Sequence, residues 1–517
     1  MESFLGEVAA DLYARYGEEL SQRAVLFPSR RARLFFTDAL ARIARRPMWQ
    51  PSWTTIDELM SEISGLRTGD RLRLVTELYG IYSEYHAEPF DKFYFWGDML
   101  LADFDTIDKY RIDAAMLFRN IEEIREIEAD ISYLTPAQLR IVAFWSSLGA
   151  EADLSEEKRR FLAIWRTLGP VYRRFRERLS ELGIAYGGMV QRAAADRLRS
   201  GEFAFATPRR FVVAGFNALS ECEKELFRFL SSAAETDFYW DYDSYYKDDP
   251  EQEAGMFVRE NVVRFPPRAE LSHDGMSRPK ELTSVAAVSN AVQCKYVATI
   301  LRGLAAGGRL GKETAVVLTD ENLLLPLLCA MPPEVGPVNV TMGYPLRASL
   351  AYTFVERLVE LQARRRTKGA DCTFYHADVT GLLAHPYVAG CDAELTRRLQ
   401  EEIMRERRIS VEASWLGRND LLRLVFSPAA GWRALSAWLS EVVAAVVRIP
   451  CPDDDARRRT EFLAVIAGEI ARLGNSLDEC GIEPAPEVYA SLLRRHLQTL
   501  RIPYEGEPLE GVQVMGI

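Results

Sequence analysis

Short apolar runs that stop abruptly at proline or glycine place the strongest constraint on the fold of this chain. Ala24-Val25-Leu26-Phe27-Pro28 and Arg210–Phe216 have the length and composition of strands that are buried on both faces. A segment with helical spacing follows each of them, from Ser29 to Arg46 and from Ser220 to Ser231. Strands that alternate with helices in this way predict an α/β fold with parallel sheets.

The stretches between these strands predict helical insertions. From Asp70 to Arg199, apolar residues recur at helical spacing and strand-like alternation is scarce. After a proline-rich linker at Phe265–Lys280, a second α/β pattern has strands at 281–288, 314–318 and 338–342. Helical sequence returns from Cys372 to Leu500, and Gly511–Ile517 has the pattern of a core strand. Chain ends are usually polar and frayed, so we expect this chain to be truncated and the natural protein to continue past Ile517.

This order predicts two RecA-like parallel-sheet lobes, each interrupted by an all-helical subdomain. The predicted fold is of the P-loop NTPase type, in a degenerate form. This order is the plan of superfamily 1 helicases. The predicted boundaries are a first lobe at 1–70 plus 205–265, a helical insertion at 71–204, a second lobe at 280–368 plus 501–517, and a helical insertion at 369–500.

Composition limits the class of protein. The 517 residues are 48% hydrophobic and 11% aromatic, which is typical of a globular chain and excludes dominant disorder. With 64 Lys and Arg against 75 Asp and Glu, the net charge of −11 excludes a binder that depends on basic tails, but allows a local basic groove. No apolar stretch is long enough for a membrane span, and the start is too acidic for a signal peptide. The seven scattered cysteines, without a CxxC pair, indicate a cytoplasmic protein with neither disulfides nor a zinc site.

The residues that an ATP-driven motor needs are absent from the expected places. A phosphate loop requires glycines, a lysine and a Ser/Thr directly after the first strand. This chain has Pro28-Ser29-Arg30-Arg31 there, and the strand at 210–216 leads into Gly215-Phe216-Asn217 without the two acids that would hold Mg²⁺. The nucleotide site is therefore predicted to be degenerate at Ser29, Arg30, Arg31, Gly215 and Asn217, with no catalytic residues.

A second glycine-rich segment does not replace the missing loop. Gly307–Glu313 has Glu313 where the hydroxyl belongs, and it precedes a strand instead of following one. An acidic group at Asp98, Asp103, Asp105 and Asp108 lacks the glycine and closing glutamate of an EF-hand, so helix capping or pairing is the favoured interpretation and no metal site is predicted.

Several short motifs, taken in their order, resemble a bacterial family of PD-(D/E)XK nuclease proteins. This family is similar to the AddB subunit of AddAB and, more distantly, to RecB and RecC. The resemblance covers essentially the whole chain. The motifs are Phe27–Arg31, Trp96–Phe104, Gly215–Leu219, Tyr239–Asp243, Asn339–Leu346, His385–Tyr387 and Val512–Gly516.

The resemblance implies an inactivated helicase-like region that acts in double-strand-break repair and recombination. Its implied partners are DNA, as a single strand or a duplex end, and an AddA-like helicase subunit. The family's nuclease lies at the C-terminus and is absent from this chain, so Mg²⁺ is expected only for that domain and no cofactor is expected here. The one (D/E)-x-K triplet, Glu156-Glu157-Lys158, lies in helical sequence, which argues against nuclease chemistry within these residues.

Candidate DNA contacts follow from the positions that touch DNA in related motors. Arginine and a stackable ring suit phosphate and base, while hydroxyl and amide donors at helix starts suit the DNA backbone. A solvated helix face, a core tryptophan and helix capping are the alternatives. The candidates are Arg30, Arg31, Trp53, Thr55, Ser289, Asn290, Thr341 and Arg347.

Two other classes of function stay open at this point. The chain could be a divergent but active ATPase, helicase or nuclease, or it could be a scaffold that binds only protein. The missing phosphate loop and acidic pair argue against the first of these. An Arg- or Lys-lined groove would argue against the second.

Overall fold

The structure is a computed structural model that describes residues 3–119, 156–205, 209–269, 271, 274–368, 371–450, 453–503 and 511–516. Internal contacts divide the chain into two units, residues 1–86 with 98–286 and residues 87–97 with 287–517. Each unit combines helices with a parallel sheet, so the predicted α/β class is confirmed.

The elements of the first unit follow in chain order, and α5 starts at residues that belong to the second unit. The helices are α1 Phe4–Tyr16, α2 Arg30–Ile43, α3 Ile56–Ser64, α4 Arg71–Tyr82, α5 Phe90–Lys109, α6 Ala114–Arg119, α7 Glu156–Leu182, α8 Gly187–Ser200, α9 Glu221–Ala233, α10 Ser244–Lys247 and α11 Met256–Arg264. The strands are β1 Arg23–Phe27, β2 Ser52–Thr55, β3 Arg67–Thr68, β4 Ile184–Ala185, β5 Arg210–Ala214 and β6 Glu235–Tyr239.

The main sheet of the first unit has four parallel strands in the order β2-β1-β5-β6. Its two faces are both covered, as the apolar character of β1 and β5 predicts. One face carries Phe27 and packs against α1 and α2. On the other face, Phe227 of α9 lies against Phe238 of β6, with ring centres 5.6 Å apart. Helices on both sides of a parallel sheet give a doubly wound arrangement.

The region from 71 to 204 is predominantly helical in its described part. Phe104 of α5 packs against Tyr172 and Phe175 of α7, with the Phe104 and Tyr172 ring centres 5.1 Å apart. One feature corrects the all-helical prediction, because β4 pairs in parallel with β3. A strand of two residues is too short to leave an alternating pattern in the sequence.

The elements of the second unit continue the numbering. The helices are α12 Asn290–Ala306, α13 Leu324–Ala330, α14 Leu350–Ala363, α15 His376–Leu383, α16 Pro386–Ala389, α17 Ala393–Arg405, α18 Ala413–Leu416, α19 Asp420–Val425, α20 Trp432–Val447, α21 Asp453–Glu479 and α22 Pro486–Thr499. The strands are β7 Ala315–Leu318, β8 Val338–Val340, β9 Tyr344–Pro345, β10 Arg366–Lys368, β11 Asp371–Tyr375, β12 Ser410–Glu412, β13 Arg501–Ile502 and β14 Val512–Gly516.

The C-terminal strand β14 lies at the centre of a parallel sheet, in the order β7-β14-β8. Val512 and Val514 are completely buried, so the core strand predicted at the chain's end is confirmed. Inside the sheet, the Asn339 amide donates to Gln513 Oε1 at 2.7 Å, which satisfies two buried polar side chains. The central strand of this sheet is thus far in sequence from the two strands that it pairs with.

Two predictions for the chain after the linker are wrong. Residues 281–288 form no strand; every one of them is exposed, and this apolar run gains neither a hydrogen-bonded neighbour nor burial. The region 369–500 is not purely helical, because β11 pairs antiparallel with both β10 and β12. These strands are short and each is followed by a turn or helix, so their signal is weak in the sequence. Among the described helices of the whole chain, none is long and apolar enough to cross a membrane.

Candidate functional site

The carboxyl edge of the first sheet brings together most of the residues singled out in the sequence. After β1 the chain adds β2 on one side of it, and β5 later pairs with the other side of β1. The direction in which strands are added therefore reverses between β1 and β5. In open α/β sheets, ligands bind outside the carboxyl ends of strands at such a reversal. Ser29 and Arg30 follow β1, Thr55 ends β2, and Gly215 and Asn217 follow β5.

The connection from β1 to α2 consists of two residues, Pro28 and Ser29. Ser29 occupies the N-cap position of α2, but its side chain makes no capping hydrogen bond. Gly215 adopts a left-handed φ of 83°, and a Cβ on it would lie 3.8 Å from Pro28 Cδ. A phosphate loop surrounds its ligand with several backbone N–H groups of a longer, glycine-rich turn. Here a proline ring and a tight turn stand at that place.

Arg30 is held by an acid at the start of the neighbouring helix. Its guanidinium lies 2.6 Å from Glu58 Oε1. Glu58 and Thr55 form a capping box, in which the Thr55 backbone N–H donates to Glu58 Oε2 at 3.0 Å and the Glu58 N–H donates to Thr55 Oγ1 at 3.3 Å. The hydrogen bond from the Thr55 backbone, aided by Arg30 against the opposing effect of burial, holds the pKa of Glu58 below its ordinary value. Thr55 is therefore a capping residue in this structure, and Glu58 faces Arg30 as a carboxylate.

A second arginine of α2 covers the candidate stacking residue. The Arg33 guanidinium carbon lies 4.1 Å from the centre of the half-buried Trp53 ring, a cation–π distance. Arg31 lies over the ring of Phe35 at 5.6 Å. Trp53 is thus neither a core residue nor an open stacking platform on both faces. The result is an arginine-and-aromatic surface at the start of α2.

The loop after β5 is fixed through its backbone. The Asn261 side-chain amide, itself buried, donates to the Asn217 carbonyl oxygen at 2.6 Å. The Asn217 side chain and Gly215 are exposed. Neither position supplies a carboxylate, so this loop lacks the two acids that hold Mg²⁺ at the corresponding place of an active motor.

The remaining candidates belong to the second unit and are held by local interactions. Ser289 caps α12 by accepting from the Val292 N–H at 3.3 Å, and Asn290 is the exposed first residue of that helix. Thr341, after β8, donates from its backbone N–H to the Val514 carbonyl at 2.9 Å. Arg347 donates to Asn322 Oδ1 at 3.0 Å. Thr341 therefore secures β14 to its neighbour.

The aspartates of α5 do not form one site, because Asp98 and Asp108 have different partners. Asp108 is fully buried and accepts from the Tyr172 hydroxyl at 2.6 Å and from Arg192 at 3.1 Å. Burial and the bond to Asp108 raise the pKa of Tyr172 to about 12. Asp98 pairs with Arg71 on the surface. In the described ranges, no group of three or more His, Cys, Asp or Glu side chains is arranged to hold a metal ion.

One residue that matters at the first edge, Glu58, was missed in the sequence, and so was the contact between Arg33 and Trp53. Glu58 had a readable signal, because Thr55 followed three residues later by Glu is the capping-box pattern. The contact of Arg33 with Trp53 had none, since it depends on the parallel pairing of β1 with β2.

The chain matches no protein-family model, and no curated protein matches it.

Proposed function

We propose that this chain is a non-hydrolysing, helicase-like region that binds DNA, of the type found in AddB-like end-processing nucleases. In this proposal the two sheets are degenerate RecA-like lobes, and DNA is the ligand as a single strand or a duplex end. An AddA-like helicase subunit is the proposed protein partner. In this proposal the region guides DNA and serves as a scaffold for its partner during double-strand-break repair in the cytoplasm. It has no catalytic activity of its own.

One observation carries the non-hydrolysing part of the proposal. The β1–α2 connection, where a motor of this type wraps the triphosphate, is reduced to Pro28 and Ser29. Gly215 on the adjacent strand adjoins the Pro28 ring. Phosphate binding by a loop depends on several converging N–H donors, which a two-residue turn that contains proline cannot supply.

The arginine-and-aromatic surface at the start of α2 supports the DNA-binding part. Arg33 forms no ion pair with any carboxylate in the described part of the chain, and it lies on Trp53. Single-stranded nucleic acid is bound by combining cationic groups that follow the phosphates with rings that stack on bases. A net charge of −11 makes such a local surface necessary, because the body as a whole repels DNA.

The test is a DNA-binding titration at several salt concentrations, with ATPase and Mg²⁺-dependent nuclease assays on the same preparation. We expect binding whose logarithm falls linearly with the logarithm of salt concentration, and neither enzymatic activity. The double variant Arg31→Ala/Arg33→Ala should weaken binding about tenfold at moderate salt and reduce the salt slope by roughly one to two.

The matched control is Arg42→Ala/Arg45→Ala, which removes the same charge from the other end of α2. It should change affinity less than twofold. Equal losses in both double variants would show that only overall charge matters. Binding to protein but not to DNA would favour a protein-only scaffold. ATP turnover abolished by Lys312→Ala, which removes the lysine of the glycine-rich segment Gly307–Glu313, would establish a divergent ATPase.

A further inference from the structure

The second unit contains a cavity of about 520 Å³ whose lining includes none of the candidate DNA-contact residues. It lies where β9, α14, α16 and α21 meet. Its volume is within the range of sites that bind small organic ligands. The lining combines aromatic rings with two arginines: Tyr344, Tyr387, Phe462, Arg458 and Arg459.

The aromatic side of this cavity is held in place by ring contacts. Tyr344 and Phe462 are in edge-to-face contact, with ring centres 5.2 Å apart. Tyr387 is edge-on to Phe354, which is fully buried, at 5.6 Å. Burial raises the pKa of the Tyr344 hydroxyl, so this ring is neutral at physiological pH. Rings fixed in this way suit a planar heteroaromatic ligand.

The basic side contains a buried donor without a hydrogen bond. Arg459 is only 7% exposed. Its terminal nitrogen donates to the Ile449 and Val447 carbonyls, but its Nε has no hydrogen-bond partner among the residues that the structure describes. An unsatisfied buried donor is costly, and one on a guanidinium is best satisfied by an anion. Arg459 also pairs with no carboxylate in the described ranges, so the lining carries an uncompensated positive charge, which favours a ligand with negative charge.

Arg458 adds a second positive charge at the same lining. It is exposed, and it forms no ion pair with a carboxylate in the described ranges. Two neighbouring guanidinium groups beside fixed rings match a ligand that is aromatic at one end and anionic at the other. A purely apolar ligand would leave the charges of Arg458 and Arg459 uncompensated, and a simple anion would leave the aromatic wall unused.

We propose that this cavity binds a nucleotide unit, with the base among Tyr344, Tyr387 and Phe462 and the phosphate on Arg458 and Arg459. The site shares no residue with the carboxyl edge of the first sheet, and the proposal does not rest on the function proposed above. A free mononucleotide and one nucleotide of a single strand present the same chemistry to it.

Calorimetric titration of the whole chain with three ligands tests both halves of the site. We expect saturable binding of thymidine 5′-monophosphate. Thymidine, which lacks the phosphate, and deoxyribose 5-phosphate, which lacks the base, should each bind at least tenfold more weakly. Absence of saturable binding of the monophosphate at millimolar concentration would overturn the proposal.

Two variants separate the contributions. Arg458→Ala should weaken the monophosphate about tenfold and leave thymidine unchanged, whereas Phe462→Leu, which keeps apolar volume but removes the ring, should weaken both. The control Arg448→Ala removes an exposed charge that does not line the cavity and should have less than a twofold effect. An equal loss of monophosphate affinity in Arg458→Ala and Arg448→Ala would refute the site. Both positions are exposed, so this comparison does not depend on how the core tolerates Phe462→Leu.

An oligo-dT strand then identifies the source of the nucleotide. If Arg458→Ala and Phe462→Leu weaken the strand as well as the monophosphate, the cavity receives a base from single-stranded DNA. If they weaken only the monophosphate, it is a site for a free nucleotide. Both results support the proposed site.

Discussion

Arg33, in the first turns of α2, lies with its guanidinium carbon 4.1 Å from the centre of the Trp53 ring on β2. The contact joins the helix that follows β1 to the strand that pairs with β1. In a nucleotide-binding sheet, this helix start faces the phosphates. Here it is tied to β2 through the Trp53 ring and to the start of α3 through the ion pair of Arg30 with Glu58.

The Arg33–Trp53 contact should contribute measurably to stability. A double-mutant cycle with Arg33→Ala and Trp53→Leu should give a coupling free energy of about 0.5–1 kcal/mol, because the pair is half-buried and cation–π contacts of this exposure have that strength. Urea unfolding of the four proteins measures it. Strict additivity of the two single substitutions would contradict the prediction.

Asp108 should be among the most sensitive polar positions of the first unit. Removing its carboxylate leaves Arg192 and the Tyr172 hydroxyl without their buried partner. We expect Asp108→Ala to lower the free energy of unfolding by about 3–5 kcal/mol. The control Asp98→Ala breaks a surface pair with Arg71 and should cost less than about 1 kcal/mol. Comparable losses at the two positions in urea unfolding would show that burial of Asp108 is unimportant.

His385 should titrate far below an ordinary histidine. Burial, followed by the charge of Arg357, lowers its pKa to about 4. The neutral ring caps α16, with Nδ1 accepting from the Tyr387 N–H at 3.3 Å. Between pH 6.5 and 4 the unfolded chain binds a proton here that the folded chain does not. Stability is therefore complete above about pH 6.5 and falls as the pH drops toward 4, by up to roughly 3 kcal/mol.

Carbon-13 NMR of labelled histidine measures this pKa directly. Of the five histidines, one signal should titrate near pH 4, and it should vanish in His385→Asn, which retains a capping side chain. A spectrum in which every histidine titrates between about pH 6 and 7 would contradict the assignment.

The exposed segment 281–288 should be the preferred site of limited proteolysis. Leu282 and Val288 are 88% and 94% exposed, and no strand pairing protects the backbone. Chymotrypsin under native conditions should cut after Leu282 and give two fragments of roughly equal size. Leu282→Gly should delay this cut, and an unchanged cleavage pattern in that variant would show that another segment opens first.

The fold and the candidate site were predictable to different degrees. Hydrophobic pattern identified β1, β5 and the helices that follow them, and it placed a core strand at 512–516, because continuous apolar runs report burial on both faces. The same pattern failed at 281–288, where apolar residues remain exposed, and it did not reveal the two-residue pairing of β3 with β4.

Local chemistry along the chain predicted the degenerate turn Pro28-Ser29 and a capping role for Ser289, since a turn or a cap involves only a few consecutive residues. Contacts between distant segments were decided by the tertiary structure alone. Strand order placed Gly215 beside Pro28, strand pairing brought Trp53 under Arg33, and helix packing buried Arg459 with an unsatisfied Nε. The physical reason is that these contacts depend on which elements become neighbours, and hydrophobic periodicity specifies which face is buried but not against what.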